Sequence, residues 1–414
     1  MCGIAGFVND MPIDVKCPVL QRMTDMIAHR GPDSEGHYID EHAALGHRRL
    51  SIIDLGGGQQ PIYNEDGSKV ITFNGEIYNY QTLREELIAA GHTFTTKSDT
   101  EVLLHGYEQW GVDLLQRVRG MFTFVIWDKN KQELFGARDH FGIKPFYYAK
   151  MNGTFMYASE IKSLLRHPDF VKELNAEALK PYMTFQYPAI GETFFKGVYK
   201  LPEGHYFTYR DGKMDIHRYY DEDFREGKQK LGELVNSIDQ TVCDSVKAHQ
   251  IADVEVGSFL SSGVDSSYVA AVARPQHTYS IGFGKGTYNE SQQAGELAEL
   301  LKLNNTAESL TDEEAFAAFP RIQWHLDEPD SNPSCVPLYF LSALAAKDVK
   351  VVLSGEGADE LFAGYIDYGV HTKFKPIKVV TRWLTHLPAG ARKAIARFCK
   401  GKTFPGAWHL YANL

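Results

Sequence analysis

The sequence predicts two domains: a strand-rich α+β domain in residues 1–209 and an α/β domain with a mainly parallel sheet in residues 231–414. Three observations predict them. The chain has 414 residues, which is long for one ordinary domain. Short runs of β-branched and aromatic residues dominate the first half, whereas strands and helices alternate in the second. Residues 221–230 are charged and poor in large apolar groups, so we predict a linker over 210–230.

The elements of the front domain follow from local composition. Strands are predicted at 3–8, 70–73, 121–127, 133–137 and 205–209. Two helices interrupt them. The first covers 81–90 and stops at Gly91, and the second begins at Ser98 and continues to Trp110.

The rear domain begins with apolar residues at helical spacing from Leu231 to Val246. Strands are then predicted at 254–260, 278–283 and 350–353, and helices at 266–273 and 290–301. Alternation of strand and helix is typical of a parallel sheet, because each parallel strand needs a crossover connection.

Composition excludes several classes of protein. The five cysteines are odd in number and far apart, which predicts a reduced, cytoplasmic chain. The start has no basic segment of a signal peptide, and no apolar run approaches the roughly 18 residues of a membrane span. A formal net charge of −10 argues against nucleic-acid binding by the whole molecule.

A cysteine stands directly after the initiator methionine. Removal of Met1 is expected because Cys2 is small, and it would leave a free α-amino group on Cys2 itself. Such an amine has a pKa of about 7.7–8 and can accept the thiol proton near neutral pH. Taken alone, a Met-Cys start is weak evidence, because a buried structural cysteine is the default interpretation.

Four further blocks accompany this cysteine. They are His29-Arg30-Gly31-Pro32-Asp33, the stretch 46–54 with Arg48 and Arg49, Asn74-Gly75-Glu76-Ile77-Tyr78-Asn79, and Ser98-Asp99-Thr100-Glu101. In order and spacing, residues 1–209 resemble the glutaminase domain of class II glutamine amidotransferases. The resemblance implies an N-terminal-nucleophile fold of four layers, αββα, with Cys2 as the catalytic nucleophile.

Roles for the other residues follow from the chemistry of glutamine. The Asn74 amide and the Gly75 N–H resemble an oxyanion hole, which needs donors aimed in advance. Arg49 suits the substrate carboxylate, whereas Glu76 and Asp99 suit its ammonium group. We also expect glutamine contacts from backbone groups of Leu50 and Ile52. Two alternatives stay open: Arg48 could replace Arg49, and Asp99 could be a helix N-cap, alone or in addition to its role as a ligand. Arg30 and Asp33 are interpreted as loop structure rather than catalysis.

In the rear domain a predicted strand runs into Ser261-Ser262-Gly263-Val264-Asp265-Ser266-Ser267. Small residues at a strand-to-helix turn direct backbone N–H groups at an anion. No Walker-type Gly-x-x-x-x-Gly-Lys-Ser/Thr occurs in the sequence. The turn resembles the Ser-Gly-Gly-x-Asp-Ser loop of enzymes that split ATP between its α and β phosphates. Ser262 departs from it, and we expect a negative φ there; an ordinary turn is the alternative.

A second block, 351–365, again combines a strand, small residues and carboxylates. Together the two rear blocks resemble asparagine synthetases, which implies a sheet of the adenine-nucleotide α-hydrolase type and adenylation of aspartate. The resemblance implies that Mg²⁺ is held by Asp265 and Asp359 and that Glu356 organises the adenylate. The implied ATP contacts are Phe259, Leu260, Ser261, Gly263, Asp265, Ser266, Ile281, Ser354 and Gly355.

Several expectations complete this prediction. Carboxylates at 327–330 are interpreted mainly as structural, and an internal passage for ammonia between the domains is a hypothesis. A later Arg-x-Pro-Phe-Leu-Asp block and a phosphate-binding lysine of the family are missing, so we expect a chain cut short at its C-terminus. Alternatives are amidation of another carboxylate, and a chain limited to glutamine hydrolysis or ligand binding. Substrates would be glutamine, aspartate and ATP, without nucleic acid or membrane, and a homodimer is allowed.

Overall fold

The computed structural model describes residues 1–187, 190–223, 227–283, 291–365 and 388. Two six-stranded antiparallel sheets form the front domain. The first has the order β10-β8-β9-β1-β3-β2, and the second β12-β11-β7-β6-β5-β4. These strands are β1 Gly3–Val8, β2 Ser34–Ile39, β3 Ala43–Arg49, β4 Ile62–Tyr63, β5 Lys69–Ile77, β6 Gly120–Asp128, β7 Glu133–Arg138, β8 Tyr147–Met151, β9 Thr154–Ala158, β10 Val198–Lys200, β11 His205–Arg210 and β12 Lys213–Arg218.

The two sheets stack face to face, with helices on their outer faces. The described front helices are α1 Ile13–Asp25, α2 Tyr80–Ala89, α3 Asp99–Trp110, α4 Ile161–Leu164 and α5 Leu179–Phe185. One core lies between the sheets and includes Ile4, Val70 and Tyr157. A second core lies under α2 and α3, and a third under α1 and α4. The layers are therefore αββα, which confirms the predicted class.

Strand alternation brings the front motifs to the layer between the sheets. Ile4 points into this layer, so Cys2, two residues earlier, is directed the same way. On β5, Val70 points into the same layer, and Asn74 and Glu76 share its parity. The start of β1 and the end of β5 thus bring the nucleophile and the Asn-Gly-Glu block to one edge of the layer.

One turn differs from the sequence interpretation. A linker was predicted over 210–230, but Asp211-Gly212 joins β11 to β12 as a two-residue hairpin. Both residues have positive φ, 51° and 73°, which is typical of a tight hairpin turn. Strand β12 therefore lies inside the segment 210–230 that was predicted as linker, and it extends the front sheet.

A four-stranded parallel sheet with the order β15-β14-β13-β16 forms the rear domain. Its strands are β13 Val256–Phe259, β14 His277–Phe283, β15 Asn304–Leu310 and β16 Val351–Leu353. The described rear helices are α6 Leu231–His249, α7 Val264–Ala273, α8 Ser291–Leu301, α9 Asp312–Leu326, α10 Cys335–Ala345 and α11 Ala358–Phe362. The predicted parallel sheet is confirmed. In the described part of the chain no helix has the length and apolarity that a bilayer crossing requires.

The strand order of this sheet reverses at β13. The chain leaves β13 toward β14 on one side, whereas β16 pairs with β13 on the other. Ligands of open α/β sheets bind at the carboxyl ends of strands where the order reverses in this way. The loops after β13 and β16 meet there, and these are the two rear motifs.

Candidate active sites at the chain start and at the parallel sheet

Cys2 lies just before β1, and its sulfur faces one backbone segment. The Sγ atom is 3.4 Å from the Leu50 N and 3.6 Å from the Leu50 O. Arg30 donates from Nε to the Cys2 carbonyl at 2.9 Å. Burial raises the pKa of the Cys2 thiol, so a base must remove its proton before it can attack.

The amine at the chain start is also buried. Burial lowers the pKa of the Met1 amino group to about 5, and the charges of Arg30 and Lys144 act in the same direction. A buried amine at this position is therefore neutral at pH 7 and able to accept a proton. In the chain as described this amine belongs to Met1, whereas the predicted base is the amine of Cys2 after methionine removal.

Asn74 is the most unusual polar residue of the front site. Its side chain is 1% exposed, yet neither the Oδ1 nor the Nδ2 atom has a hydrogen-bond partner. Leaving such a group unpaired costs about 1–3 kcal/mol, so native proteins rarely do so without a function. Gly75 beside it has no room for a side chain, because a Cβ would lie 2.2 Å from the Met121 carbonyl oxygen.

Glu76 and Asp99 form a pair of buried carboxyl groups. Burial raises the pKa of Glu76 well above its usual value, and the charge of Asp99 raises it further. Burial likewise raises the pKa of Asp99 to about 6. Ile77 N donates to Asp99 Oδ2 at 2.9 Å and so fixes its orientation. Two carboxylates that repel each other are suited to binding a cation such as an ammonium group.

The N-cap alternative for Asp99 is wrong. Ser98 is the N-cap of α3, and its side chain accepts a hydrogen bond from Thr100 N at 3.1 Å. Asp99 is the first residue of the helix, where the positive end of the helix dipole also favours an anion.

The structure separates the two neighbouring arginines of β3. Arg48 faces outward and forms ion pairs with Asp25 and Glu35. Arg49 is 6% exposed, and its Nη2 donates to the carbonyl oxygens of Ile53 at 3.0 Å and of Asp54 at 2.7 Å. In the described structure Arg49 has no carboxylate partner within ion-pair distance. Its guanidinium is therefore held in place with its charge available to a ligand.

The backbone expected to bind glutamine also contacts the rear domain. Asp253 N donates to the Ile52 carbonyl at 2.9 Å, and Asp54 N donates to Asp253 Oδ2 at 2.7 Å. The Ile52 carbonyl is thus occupied by the rear domain, whereas Leu50 faces the Cys2 sulfur. The loop after Arg49 is one of the connections between the two halves.

The rear site is a cavity of about 500 Å³ at the carboxyl ends of β13 and β16. All nine residues predicted to contact ATP line it, together with Asp359 and Glu356. Further lining residues come mainly from α10 and the residue before it, namely Ser334, Pro337, Leu338 and Leu341. The structure therefore brings every predicted rear-site residue to one cavity, large enough for a small-molecule ligand.

Hydroxyl groups organise the loop after β13. Ser266 Oγ accepts from Ser261 N at 3.1 Å, and Ser261 Oγ accepts from Gly263 N at 3.1 Å. Ser262 is absent from the described residues with positive φ, which confirms the expected backbone conformation. The loop after β16 packs closely on this one, since a Cβ at Gly355 would lie 2.8 Å from both the Asp265 Cβ and the Ser266 N.

The charged residues that line this cavity, among those that the structure describes, are all acidic. Asp265, Glu356, Asp359 and Glu360 line it, and no lysine or arginine does so within the described ranges. Carboxylate oxygens are hard donors of the kind that Mg²⁺ prefers. The donor set therefore fits a divalent cation that would accompany a phosphate ligand.

A buried chain of charges connects the front site with the rear domain. Arg30, which holds the Cys2 carbonyl, pairs through Nη1 with Glu160 Oε1 at 2.9 Å. Lys162 Nζ then lies 2.6 Å from Glu160 Oε2 and 2.8 Å from Asp327 Oδ1. The side chains of Glu160, Lys162 and Asp327 are each less than 10% exposed. Asp327, which was interpreted as structural, therefore lies at the interface of the two domains.

Sequence reasoning missed Lys144, Glu160 and Lys162. Lys144 is 4% exposed, and burial lowers its pKa to about 8. Its local sequence is a turn-rich loop that does not distinguish it from a surface lysine. Glu160 and Lys162 have partners far away in the sequence, so only the tertiary structure reveals them.

Comparison with known families divides the chain in the same way. Residues 1–220 match the family described as glutamine amidotransferase domain, and residues 237–410 match the family described as asparagine synthase. The first match covers β12, in agreement with the place of that strand in the front sheet.

Three curated relatives are similar over most of the chain. Asparagine synthetase [glutamine-hydrolyzing] 1 of Bacillus subtilis is 43% identical over 95% of this chain and 62% of its own length. Asparagine synthetase [glutamine-hydrolyzing] 2 of the same organism is 36% identical over 88% of this chain and 52% of its own length. Amidase chry2 of Gibberella zeae is 32% identical, with shares of 88% and 59%. The chain thus spans about half to three fifths of the length of these relatives.

Proposed function

Because the chain belongs to the family of glutamine-hydrolysing asparagine synthetases, we propose that it releases ammonia from glutamine at Cys2 and transfers it to aspartate activated by ATP. The observation that carries the proposal is the buried Asn74 amide without a protein partner, on the strand face that also directs Glu76 toward Cys2. A donor held in this way suits the oxyanion of amide hydrolysis.

Glutamine hydrolysis uses the residues of the front site. The amine at the chain start takes the Cys2 proton, and the sulfur attacks the side-chain carbonyl carbon of glutamine. Asn74 Nδ2 and Gly75 N stabilise the oxyanion, and the amine passes its proton to the leaving nitrogen, which departs as ammonia. Water then cleaves the glutamyl thioester to give glutamate and free Cys2.

Substrate recognition rests on opposite charges at two places. Arg49 pairs with the α-carboxylate of glutamine, and its backbone anchors keep the guanidinium oriented. Glu76 and Asp99 receive the α-ammonium, which relieves the repulsion between the two carboxylates. The Leu50 backbone and the Ile52 N–H complete the pocket, since the Ile52 carbonyl already accepts a hydrogen bond from Asp253 N.

Adenylation of aspartate is assigned to the rear cavity. Ser261, Gly263 and Ser266 hold the phosphates at the N-terminus of α7, and the nucleoside lies along Phe259, Leu260 and Ile281. Asp265 and Asp359 are the residues that would hold Mg²⁺, which when bound neutralises phosphate charge. Glu356 orients ammonia toward the adenylate.

A second candidate differs only in the acceptor. The similarity to amidase chry2, at 32% identity, favours keeping other carboxylates open as substrates. Pyrophosphate release measured over a panel of amino acids and carboxylic acids distinguishes the candidates. Release with aspartate alone supports asparagine synthesis, whereas release only with another carboxylate contradicts it.

The test of the proposal measures glutamate, AMP and asparagine made by the chain from glutamine, aspartate and ATP. Wild-type chain is expected to form all three, and Cys2→Ala only AMP and asparagine when ammonia is supplied. Cys17→Ala is the matched control, because that cysteine is exposed and lies on α1. Glutamate formed by Cys2→Ala would contradict the front site, and failure to form AMP with ammonia present would contradict the rear one.

We extend the proposal to the passage of ammonia between the sites and to a cytoplasmic enzyme that forms a homodimer. The chain of charges from Arg30 to Asp327 supports a fixed geometry of the two domains, which an internal passage requires. If small residues along the passage are enlarged, glutamine use should exceed asparagine formation. Unchanged coupling would remove the passage from the proposal.

A further inference from the structure

Two histidines and two glutamates of the front domain converge at a place that glutamine hydrolysis does not use. They are Glu65, His92, His105 and Glu108, and one ligand atom of each lies within 4.8 Å of all the others. Glu65 follows β4, His92 precedes α3, and the other two lie on α3 itself. We propose that these four side chains, called here the His-Glu cluster, bind one zinc ion.

The four nitrogen-to-carboxylate distances within the His-Glu cluster lie near the ligand-to-ligand spacing of a tetrahedral ion, and Glu65 contacts the two histidines through different oxygens. His105 Nδ1 lies 3.0 Å from Glu108 Oε2 and 3.5 Å from Glu65 Oε2. His92 Nδ1 lies 3.4 Å from Glu65 Oε1 and 3.9 Å from Glu108 Oε2. Ligands about 2.1 Å from a tetrahedral centre are about 3.4 Å from one another, which is the middle of this range.

The outer nitrogen of each histidine faces a different side chain, and of the two only that of His92 is hydrogen-bonded. His92 Nε2 contacts Gln109 Oε1 at 3.2 Å. His105 Nε2 lies 3.6 Å from Glu101 Oε1, which is ion-pair distance. Glu101 is fixed in turn by the backbone N–H groups of Thr95 and Thr96, both at 2.7 Å. Both rings therefore direct Nδ1 into the cluster. For His92 the Nε2 contact with Gln109 is the arrangement that orients histidine ligands in metal sites, whereas the buried Nε2 of His105 has no hydrogen-bond partner.

The carboxylates are oriented as well. Glu108 accepts from Asn64 Nδ2 at 2.6 Å through Oε1, which leaves Oε2 to face both histidines. Glu65 Oε1 accepts from Thr93 N at 3.0 Å. The histidine rings are 5.1 Å apart, so a proton on each would place two positive charges side by side. One divalent cation satisfies all four groups without that repulsion.

Two imidazoles and two carboxylates favour zinc among the common divalent ions. The ion would join the turn at 64–69 to the segment before α3, and so fix the helix that begins with Asp99. Its role is therefore structural, and it does not depend on the proposed function of the chain.

The test is a titration of the metal-stripped whole chain with Zn²⁺, monitored by calorimetry. Elemental analysis of the protein then gives the number of zinc ions bound per chain. Wild-type chain is expected to bind one zinc per chain. The double variant Glu65→Gln/His92→Gln should bind at least about 100-fold more weakly, and Gln109→Ala about 10–100-fold more weakly, because Gln109 only orients His92. The matched control is His42→Gln, which removes a histidine that faces one carboxylate, Asp10, at 3.8 Å.

Binding of less than one zinc by the wild-type chain, or equal binding by the double variant, overturns the proposal. Replacing zinc by cobalt(II) in the wild-type chain provides a second test, which reports the coordination geometry of the ion and needs no variant. Strong visible absorption of a tetrahedral ion supports the His-Glu cluster as the site, and the weak absorption of an octahedral ion contradicts it.

Discussion

Replacing Asn74 by alanine should separate catalysis from stability. An oxyanion donor contributes about 2.7–4 kcal/mol to the transition state, so kcat for glutamine hydrolysis should fall about 100- to 1,000-fold. KM should stay nearly unchanged, because the oxyanion exists only during the reaction. The measurement is glutamate formation over a range of glutamine concentrations.

Stability should respond differently. Removing a buried amide usually destabilises a protein by about 1–3 kcal/mol, because its hydrogen-bond partners are left unpaired. Asn74 has no such partners, so its removal leaves no group unpaired. The gain from removing an unpaired amide offsets the small cavity that alanine leaves. The free energy of unfolding in urea should therefore change by less than about 1 kcal/mol. Asn74→Asp preserves the shape, removes the donor and should reduce kcat to a similar extent.

Thr72→Val is the matched control, because Thr72 is buried on the same face of β5 two residues earlier. It should leave kcat within a factor of two, which is about 0.4 kcal/mol. A fall in kcat of less than tenfold for Asn74→Ala would refute the assignment. So would a loss of stability large enough to explain the fall in activity.

Three further predictions concern the pH dependence, the interface and the rear cavity. Burial raises the pKa of Asp99 to about 6, and the substrate ammonium binds only its ionised form. The kcat/KM for glutamine should therefore be constant above pH 6 and fall about tenfold per pH unit below it; a flat profile down to pH 5 would contradict this role. Lys162→Met leaves the buried Asp327 without its cation and should lower the free energy of unfolding in urea by about 3–5 kcal/mol, whereas the exposed Lys196→Met should not change it. Equal effects of the two variants would refute the interface. Gly355→Ala should weaken ATP binding about tenfold in calorimetry, because its Cβ separates the two phosphate loops, and glutamine hydrolysis should stay unchanged. Unaltered ATP affinity would show that these loops do not form the nucleotide site.

Local signals were sufficient for much of this architecture. The strands at 3–8 and 121–127 and the stop at Gly91 were predicted within a few residues, because alternation and turn chemistry act over short distances. The alternation of strands and helices predicted the parallel sheet, and the two small-residue loops were located without any knowledge of the sheet order. That these loops line one cavity follows from parallel strands, whose carboxyl ends share an edge.

Local sequence signals did not predict features that depend on residues far apart in the sequence. Residues 210–230 were predicted as a linker, and only the pairing of β12 with β11 shows that the chain continues in the same sheet. Glu160 and Lys162 were not singled out, because their partners Arg30 and Asp327 lie more than a hundred positions away in the sequence. The four members of the His-Glu cluster are likewise spread from 65 to 108 and have no recognisable metal spacing.

By itself the sequence located the candidate site residues: Cys2 after the initiator, the Asn-Gly-Glu block and the two rear loops. The tertiary structure decided which of the two neighbouring arginines faces the site and which faces outward. Neighbouring residues of a strand point to opposite faces, so Arg48 and Arg49 were certain to differ. Only the packing of β3 between α1 and the second sheet placed Arg48 against Asp25 and directed Arg49 inward. A side chain's role depends on what lies opposite it, and that is set by the arrangement of the layers.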